Sequence, residues 1–565
     1  MCSNKKIDVI NDSAFQSIQQ NDLTTGIKLL KESLELNSVQ PVILFNLALC
    51  LRELNFYHES IYYLDKILEI NPSYSQVLFL KAEILKKINL LDESIDTYKH
   101  LATLNPKNPE IYFNLGNIFF EKNDLNLALE NFDRAIQLDA NFFEAYNNKG
   151  NCERELGNFN EALKAYIHCL ELNPNITQIY INIGNIYKDK KEYKKALEIF
   201  QQAISAGLNS AEIHFNKGNV EQELSKFEDS IRSYDSSIAV DKNFYPALWN
   251  KALVCLMLGN FAEGWKLYEY RWLDQQRKFK RNLNGPLWLG SPSQLKGKSL
   301  LIYTEQGLGD AIQFSRYASL LKKTGALIIF ECQGALIDLF KTLDKDFILI
   351  ERGQDLPPFD YHCPIMSLPF AFKTELNTIP ARVPYLKVNQ DKKVFWKKHF
   401  DANFNHIGIV CSGSKTHKED AFRSIPLAFF EEILDLPYQF HLIQKEIRDA
   451  DLVSAKNLPI KLYIDDIHNF SDTAAIIECM DLIISVDTSV AHLAGALNYE
   501  VLLLLPYIPD YRWMFEGNST PWYPSFKLIR QDDDRCWHKV LDDVKKILTQ
   551  SSKLNKKRQP KGLPF

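Results

Sequence analysis

None of the ten cysteines in this chain stands in a C-x-x-C pair or at the His/Cys spacing of a zinc site. No zinc site is therefore read from them. Cys50, Cys152, Cys169 and Cys255 fall at packing positions of helical segments. They read as reduced thiols used as small hydrophobes, so a cytoplasmic protein is expected. No apolar run nears the roughly 20 residues that span a bilayer. The densest is Val501 to Leu505, and Met1 to Ile10 lacks the apolar stretch of a secretory signal, so no transmembrane segment is expected. An excess of either charge is missing too: 66 Lys and Arg oppose 71 Asp and Glu, a formal net charge of -5. Without a global positive field, nucleic acid is not an expected partner. Basic residues from Lys553 to Lys561 mark 551–565 as a solvated basic tail. No P-loop or Ser/His/Asp triad is present. Asp532-Asp533-Asp534 lies past the last predicted core strand and reads as a solvated loop, so no metal is expected.

What the chain does contain begins with size. Its 565 residues exceed one hydrophobic core, and 46% apolar with 24% charged residues is ordinary globular composition. The first half repeats every 34 residues. Turn-type residues recur at Asn37, Asn71, Asn105, Asp139, Asn173, Gly207 and Asp241, with Pro72, Pro106 and Pro174 following three of them. Small residues recur from Ala14 through Gly116, Gly150, Gly184 and Gly218 to Ala252, and again from Gly26 through Ser60, Ser94 and Ala128 to Gly264. Two antiparallel helices pack closely only where facing side chains are small, and each pair needs a residue that stops a helix. The period and pattern resemble tetratricopeptide repeats, about eight helix pairs over 8–275, and predict an α-solenoid domain over 1–275.

Asn46, Asn114, Asn148, Asn182, Asn216 and Asn250 share one register, broken at Leu80, and Asn117, Asn151, Asn185 and Asn219 follow three residues later. Residues three apart share a helix face, and an amide offers a donor and an acceptor together. The series resembles the asparagine ladder lining the solenoid of O-linked N-acetylglucosamine transferases. It makes Asn114, Asn148, Asn182, Asn216 and Asn250 candidates for gripping a protein or peptide in the solenoid groove. The alternative is that these amides bond neighbouring helices.

An aromatic, charged stretch from Trp265 to Trp288 ends the repeats, and 276–297 reads as a linker around Gly285-Pro-Leu-Trp-Leu-Gly290. Beyond it, short apolar runs alternate with helical patterns, the signature of α/β structure with mostly parallel sheets. A first lobe over 298–395 is predicted to open with a strand ending at Tyr303, a Gly307-Leu-Gly-Asp310 turn, one helix through Leu321, a strand ending at Glu331 and a helix around Gly334 to Leu343. A second lobe over 396–550 carries predicted strands beginning at His406, Phe440 and Leu482, a helix from Asp472 to Cys479, and a run from Val501 to Leu505 read as the closing strand.

Three turns carry candidate chemistry. Asp487-Thr488-Ser489 ends a strand and starts a helix, whose amides and positive dipole end suit a diphosphate. His492, one turn in, could reach a phosphate or ribose. Against this, Asp487 is also a good helix cap and His492 a plausible buried structural histidine. Ser412-Gly413-Ser414 follows the first strand of the same lobe, where doubly wound sheets bind ligands, and Arg423 could clamp a diphosphate with two bonds. Asp310 could take a proton from an acceptor hydroxyl, or simply cap its helix.

Gly309-Asp310, Arg423-x-x-Pro426 and Asp487-Thr488-Ser489-x-x-His492 resemble the heptosyltransferases of glycosyltransferase family 9, over about residues 298–546. The resemblance implies two Rossmann-like lobes (the GT-B fold) and inverting, metal-independent transfer from a nucleotide-sugar, which is a co-substrate rather than a bound cofactor. It implies Asp310 as general base, Arg423, Asp487, Thr488, Ser489 and His492 near the donor diphosphate, and Ser412 and Ser414 lining the donor cleft. Three features depart from the family pattern. Ser489 stands where glycine is usual, Arg316 replaces a proline and suggests a different acceptor, and the first lobe is short. The short lobe shifts the expected acceptor toward a protein presented by the solenoid. The competing expectation is a non-catalytic protein-binding scaffold on a degenerate glycosyltransferase fold.

Overall fold

The structure is a computed structural model in which residues 2–273, 281–414 and 420–550 are described. The chain divides into two compact units, Met1–Asn216 and Lys217–Phe565, with the division inside the helix Ala211–Glu223.

Sixteen helices run from Cys2–Gln19 to Phe261–Tyr268, the eight pairs expected from the 34-residue period. Each pair is joined by a residue with left-handed backbone: Asn21, Asn55, Asn89, Asn123, Gly157, Lys191, Ser225 and Gly259, again 34 apart. This second turn series went unnoticed in the sequence because glycine, the usual residue there, occupies only two of the eight places. Of the seven residues expected to close the pairs, Asn37, Asn71, Asp139, Asn173 and Asp241 do so in extended conformation, whereas Gly207 is left-handed at φ 82°. Asn37, Asp139 and Asp241 accept bonds from the amides of Val39, Asn141 and Asn243 at 2.9–3.1 Å. The small residues act as expected. A Cβ on Gly116 would meet the Phe132 ring at 2.6 Å, and one on Gly150 the Tyr166 ring at 2.5 Å. Ser60 and Ser94 are buried and donate to the carbonyls of Ala48 and Ala82 at 2.7 Å.

Among the described residues, the α/β region holds ten strands in two all-parallel sheets. β1 (Ser299–Tyr303), β2 (Leu327–Cys332), β3 (Ile348–Glu351) and β4 (Tyr361–Pro364) take the order β3-β2-β1-β4. β5 (His406–Val410), β6 (Gln439–Leu442), β7 (Ile460–Leu462), β8 (Leu482–Val486), β9 (Val501–Leu505) and β10 (Phe526–Arg530) take the order β10-β9-β8-β5-β6-β7. Counted from its own first strand, the second sheet has the doubly wound order 3-2-1-4-5-6, and the first sheet has its first four places, 3-2-1-4. In each sheet the order reverses between the first and fourth strands, which opens a crevice at their carboxyl ends.

Several local expectations change. β9 does not close the second sheet, because β10 pairs outside it with register Phe526↔Val501 to Arg530↔Leu505. The expected long helix through Leu321 is interrupted: Leu308–Phe314 and Ala318–Lys323 are separated by a 3-10 turn, Ser315–Tyr317. The supposed linker is partly docked. Leu287 bridges to His362, the Trp288 amide donates to the His362 carbonyl at 2.8 Å, and the Trp288 ring is buried. The helix Gln390–Lys397, most of it assigned to the first lobe, packs on the helix Phe470–Ile477 of the second, where Trp396 Nε1 donates to Asp472 at 3.3 Å. The proposed basic tail lies outside the described residues, as does 415–419. No described helix is long and apolar enough to cross a membrane.

Candidate functional site

The helix Ser489–Ala496 starts at the carboxyl end of β8, beside the order reversal of the second sheet. Thr488 occupies its N-cap with extended backbone and makes no side-chain capping bond, so its hydroxyl is not used on the helix's own first amides. Asp487 is buried, and desolvation, then the nearby Asp510 charge, raise its pKa against the pull of Arg423 and Arg512. His492 is 4% exposed. Its Nδ1 meets the Tyr523 hydroxyl at 3.0 Å, and its ring stacks on Trp513 with centroids 5.2 Å apart. Burial, then the charges of Arg512, Arg316 and Arg423, hold its pKa well below the usual histidine range, so the ring is neutral.

The turn after β5 is built by side chains from neighbouring loops. Gln444 accepts the Cys411 amide at 2.8 Å and donates to Ser412 Oγ at 2.8 Å, so Ser412 is buried and engaged, whereas Ser414 is exposed. A Cβ on Gly413 would meet Asp420 at 2.5 Å and Arg423 at 2.6 Å, so a side chain there would displace both groups. Asp420 accepts the Gly413 amide at 3.1 Å, receives Arg423 Nε at 3.3 Å and pairs with Arg448. The Arg423 guanidinium is thereby braced against the Gly413 turn.

The corresponding turn of the first sheet meets these residues. Gly309, in the first turn of the helix Leu308–Phe314, lies so close to Ser489 and His492 that a Cβ there would be 3.4 Å from Ser489 Cα and 3.0 Å from the imidazole. Asp310 Oδ2 accepts the Gly307 amide at 2.9 Å, and Oδ1 pairs with Arg512. Asp310 therefore caps its helix and also faces the second sheet. Arg316 does not face an open acceptor site. It is 2% exposed, donates to the Trp522 carbonyl at 2.8 Å and lies over the Tyr523 ring at 4.6 Å.

The carboxyl end of the four-stranded sheet is filled from within. Arg271, fully buried just past the last helical repeat, donates to Glu305 after β1 at 3.0 Å and to Ser367 after β4 at 2.7 Å. Burial pushes the Glu305 carboxyl up to about 7, with Arg271 opposing the shift. Sequence reading missed Arg271, Arg512, Asp510 and Gln444. All but Arg271 lie in loops at the carboxyl ends of strands, and that placement is the signal that could have marked them.

In the repeats, the two asparagine registers bond each other within each unit. Asn148 Nδ2 donates to Asn117 at 2.6 Å and Asn182 Nδ2 to Asn151 at 3.3 Å. Asn250 Nδ2 donates to Asn219 at 2.7 Å. Asn114 bonds its own helix at the Glu110 carbonyl, 2.9 Å, and Asn216 is 8% exposed. Where Leu80 interrupts the register, Phe45, Leu49, Phe79 and Leu80 line a pocket of about 360 Å³ with Arg52 and Glu83. Among the described residues no cluster of His, Cys, Asp or Glu is placed to hold a metal ion.

Comparison with known proteins fits the repeat region. A tetratricopeptide-repeat family model matches residues 141–207, and a TPR-repeat model matches 82–121 and 116–152. The N-terminal region thus contains tetratricopeptide repeats. Protein FlbA of Caulobacter vibrioides is 24% identical over 321 residues, 52% of this chain and 53% of that protein. The chain spans about half the length of that curated relative. Among solved structures it is similar to MamA, at 24% identity and TM-score 0.27, covering 27% of this chain and 91% of that one. It is also similar to the C-terminal part of a TPR repeat-containing protein from Cytophaga hutchinsonii, at 16% identity and TM-score 0.38, covering 42% and 97%.

Proposed function

We propose that the α/β region is a glycosyltransferase of the two-lobed GT-B kind, and that the repeats recruit its acceptor, a protein or peptide. The reading rests on one observation: the turns leaving β1 and β8 meet, with Gly309 against Ser489 and His492. A nucleotide-sugar would set its diphosphate at the start of the helix Ser489–Ala496, where amides, the Thr488 hydroxyl and Arg423 can hold phosphate oxygens. Asp310 would take the proton of an acceptor hydroxyl. That oxygen would form a bond to the anomeric carbon as the bond to the diphosphate breaks, and the nucleoside diphosphate would leave with the electron pair. No metal is required, because arginine and helix amides carry the leaving charge.

The test is a melting-temperature screen of the full chain against nucleoside diphosphates. Ligand at about 100 times its Kd adds about 2.7 kcal/mol of stability, a rise of a few degrees. Asp310→Asn is expected to abolish sugar transfer while retaining that rise. Undiminished turnover in the variant would remove the role assigned to Asp310.

A second reading, a protein-binding scaffold without catalysis, is favoured by one fact. Both Asp310 carboxylate oxygens are engaged, one by the Gly307 amide and one by Arg512. Absence of any nucleotide-induced rise would leave the scaffold reading standing.

A further inference from the structure

Arg512 lies in a 3-10 turn, Tyr511–Trp513, in the loop that leaves the carboxyl end of β9. Its side chain is 9% exposed, yet three of its nitrogens each meet a different side chain. Nη2 pairs with Asp310. Nη1 donates to Asp510 Oδ1 at 2.8 Å, and Nε donates to Gln313 Oε1 at 2.6 Å. Asp310 and Gln313 belong to the helix Leu308–Phe314 of the first sheet, so one cation ties the carboxyl ends of both sheets together.

Two further observations mark this turn as more than a connection. Gln313 is fully buried and its Nε2 has no partner, so its amide is oriented toward Arg512 at the cost of its own donors. Met514, the next residue but one, has φ 57° and ψ 168°, a region that a side chain rarely adopts. Arg530 holds that backbone in place by donating to the carbonyls of Trp513, Met514 and Gly517 at 2.7, 3.0 and 2.8 Å. A strained turn braced by a dedicated arginine aims Arg512 at one place. Arg512 also acts electrostatically on Asp487 and His492, the residues flanking the start of the helix Ser489–Ala496.

We propose that Arg512 is a phosphate-reading latch: shared here between Asp310 and Asp510, it turns to the oxygens of a pyrophosphate group seated at Thr488–Ser489 and thereby frees the Asp310 carboxylate. The proposal rests on the reading of the site given above. Its physical basis is competition for one rigid fork of donors. A multiply charged phosphate group outbids a single carboxylate for the same N–H groups, and helix amides hold its remaining oxygens. Ligand binding can move Arg512 only through such a difference in affinity. The coupling is reciprocal, so whatever loosens Asp310's hold on Arg512 tightens the phosphate's.

The test is calorimetric titration of the full chain with inorganic pyrophosphate. Asp310→Asn keeps an acceptor for the Gly307 amide but removes the competing charge, and is expected to bind about tenfold tighter than the unaltered protein. Arg512→Gln is expected to weaken binding by at least that factor, and the double variant to show no gain from the change at 310. Asp510→Asn, which still accepts the Arg512 amide, provides a second route and should also tighten binding. A purely structural ion pair would lose thermal stability in these variants without gaining affinity. Equal or weaker binding by Asp310→Asn overturns the latch alone if the unaltered protein binds pyrophosphate. Binding by no variant, with no nucleotide-induced rise in melting temperature, overturns the latch and the transferase reading together. A gain that persists in the double variant also overturns the latch.

Discussion

His441, buried on β6, joins a hydrogen-bonded chain that runs through His406 to the Asp401 carbonyl. His406 Nε2 meets the Asp401 carbonyl at 2.8 Å and so must donate. Its Nδ1 lies 2.9 Å from His441 Nε2, and His441 Nδ1 lies 2.9 Å from the Tyr463 hydroxyl. Burial, then the neighbouring His406, pushes the His441 pKa down to about 3. The unfolded chain takes up this proton near pH 6.5, and the folded chain does not until far lower pH. Stability from this group is therefore complete above about pH 6.5 and falls as pH drops below it, by about 1.4 kcal/mol per pH unit. His441→Gln lacks that titration. Its stability deficit, read from urea unfolding, is expected to shrink by about 2 kcal/mol between pH 6.5 and 5. A deficit that stays constant would show that His441 does not titrate in this way.

At the scale of elements, the left-handed residue joining each helix pair sets the angle at which the second helix returns. Side chains there cost roughly 1–2 kcal/mol each, and glycine is free of that cost. Lys191 is exposed at φ 59°, so Lys191→Gly is expected to stabilise the chain by about 1 kcal/mol. Gly157, at φ 79° with open space around it, should lose about as much on change to alanine. Thermal unfolding of both variants checks the pair, and a loss in Lys191→Gly would count against this account of the turn. The same scale shows what was legible beforehand. The small-residue registers foretold all eight helix pairs, and short apolar runs foretold β1, β2, β5, β6, β8 and β9. β3, β4 and β7 were not foreseen because three or four partly exposed residues carry too little hydrophobic pattern to stand out. β10, an edge strand, carries Lys527 and Arg530 among its five residues and so lacked the continuous apolar run of its neighbours.

For the molecule as a whole, the last repeats and the α/β region form one compact unit. Trp265 and Tyr268 pack on Tyr511, and Arg271 fills the first sheet's crevice beside Glu305. Replacing Arg271 with methionine leaves a buried carboxylate without its cation and is expected to cost about 3–5 kcal/mol. Adding Glu305→Gln to that variant should recover part of the loss, because it removes the uncompensated charge. A simple sum of the two single losses, measured by denaturant unfolding, would contradict the pairing.

Periodicity and local turn chemistry could be read along the chain, because each depends on residues within about 34 positions of one another. So could Gly309, Asp310, Thr488, Ser489 and His492, each placed where a strand hands over to a helix. Their meeting could not be read, nor could the partners that govern them. Arg512 and Asp310 are 202 residues apart, and Arg271 and Ser367 are 96 apart. A contact at such separation leaves no repeat and no spacing in the sequence. It exists only because parallel strands bring their carboxyl ends, and the loops that leave them, to one side of each sheet.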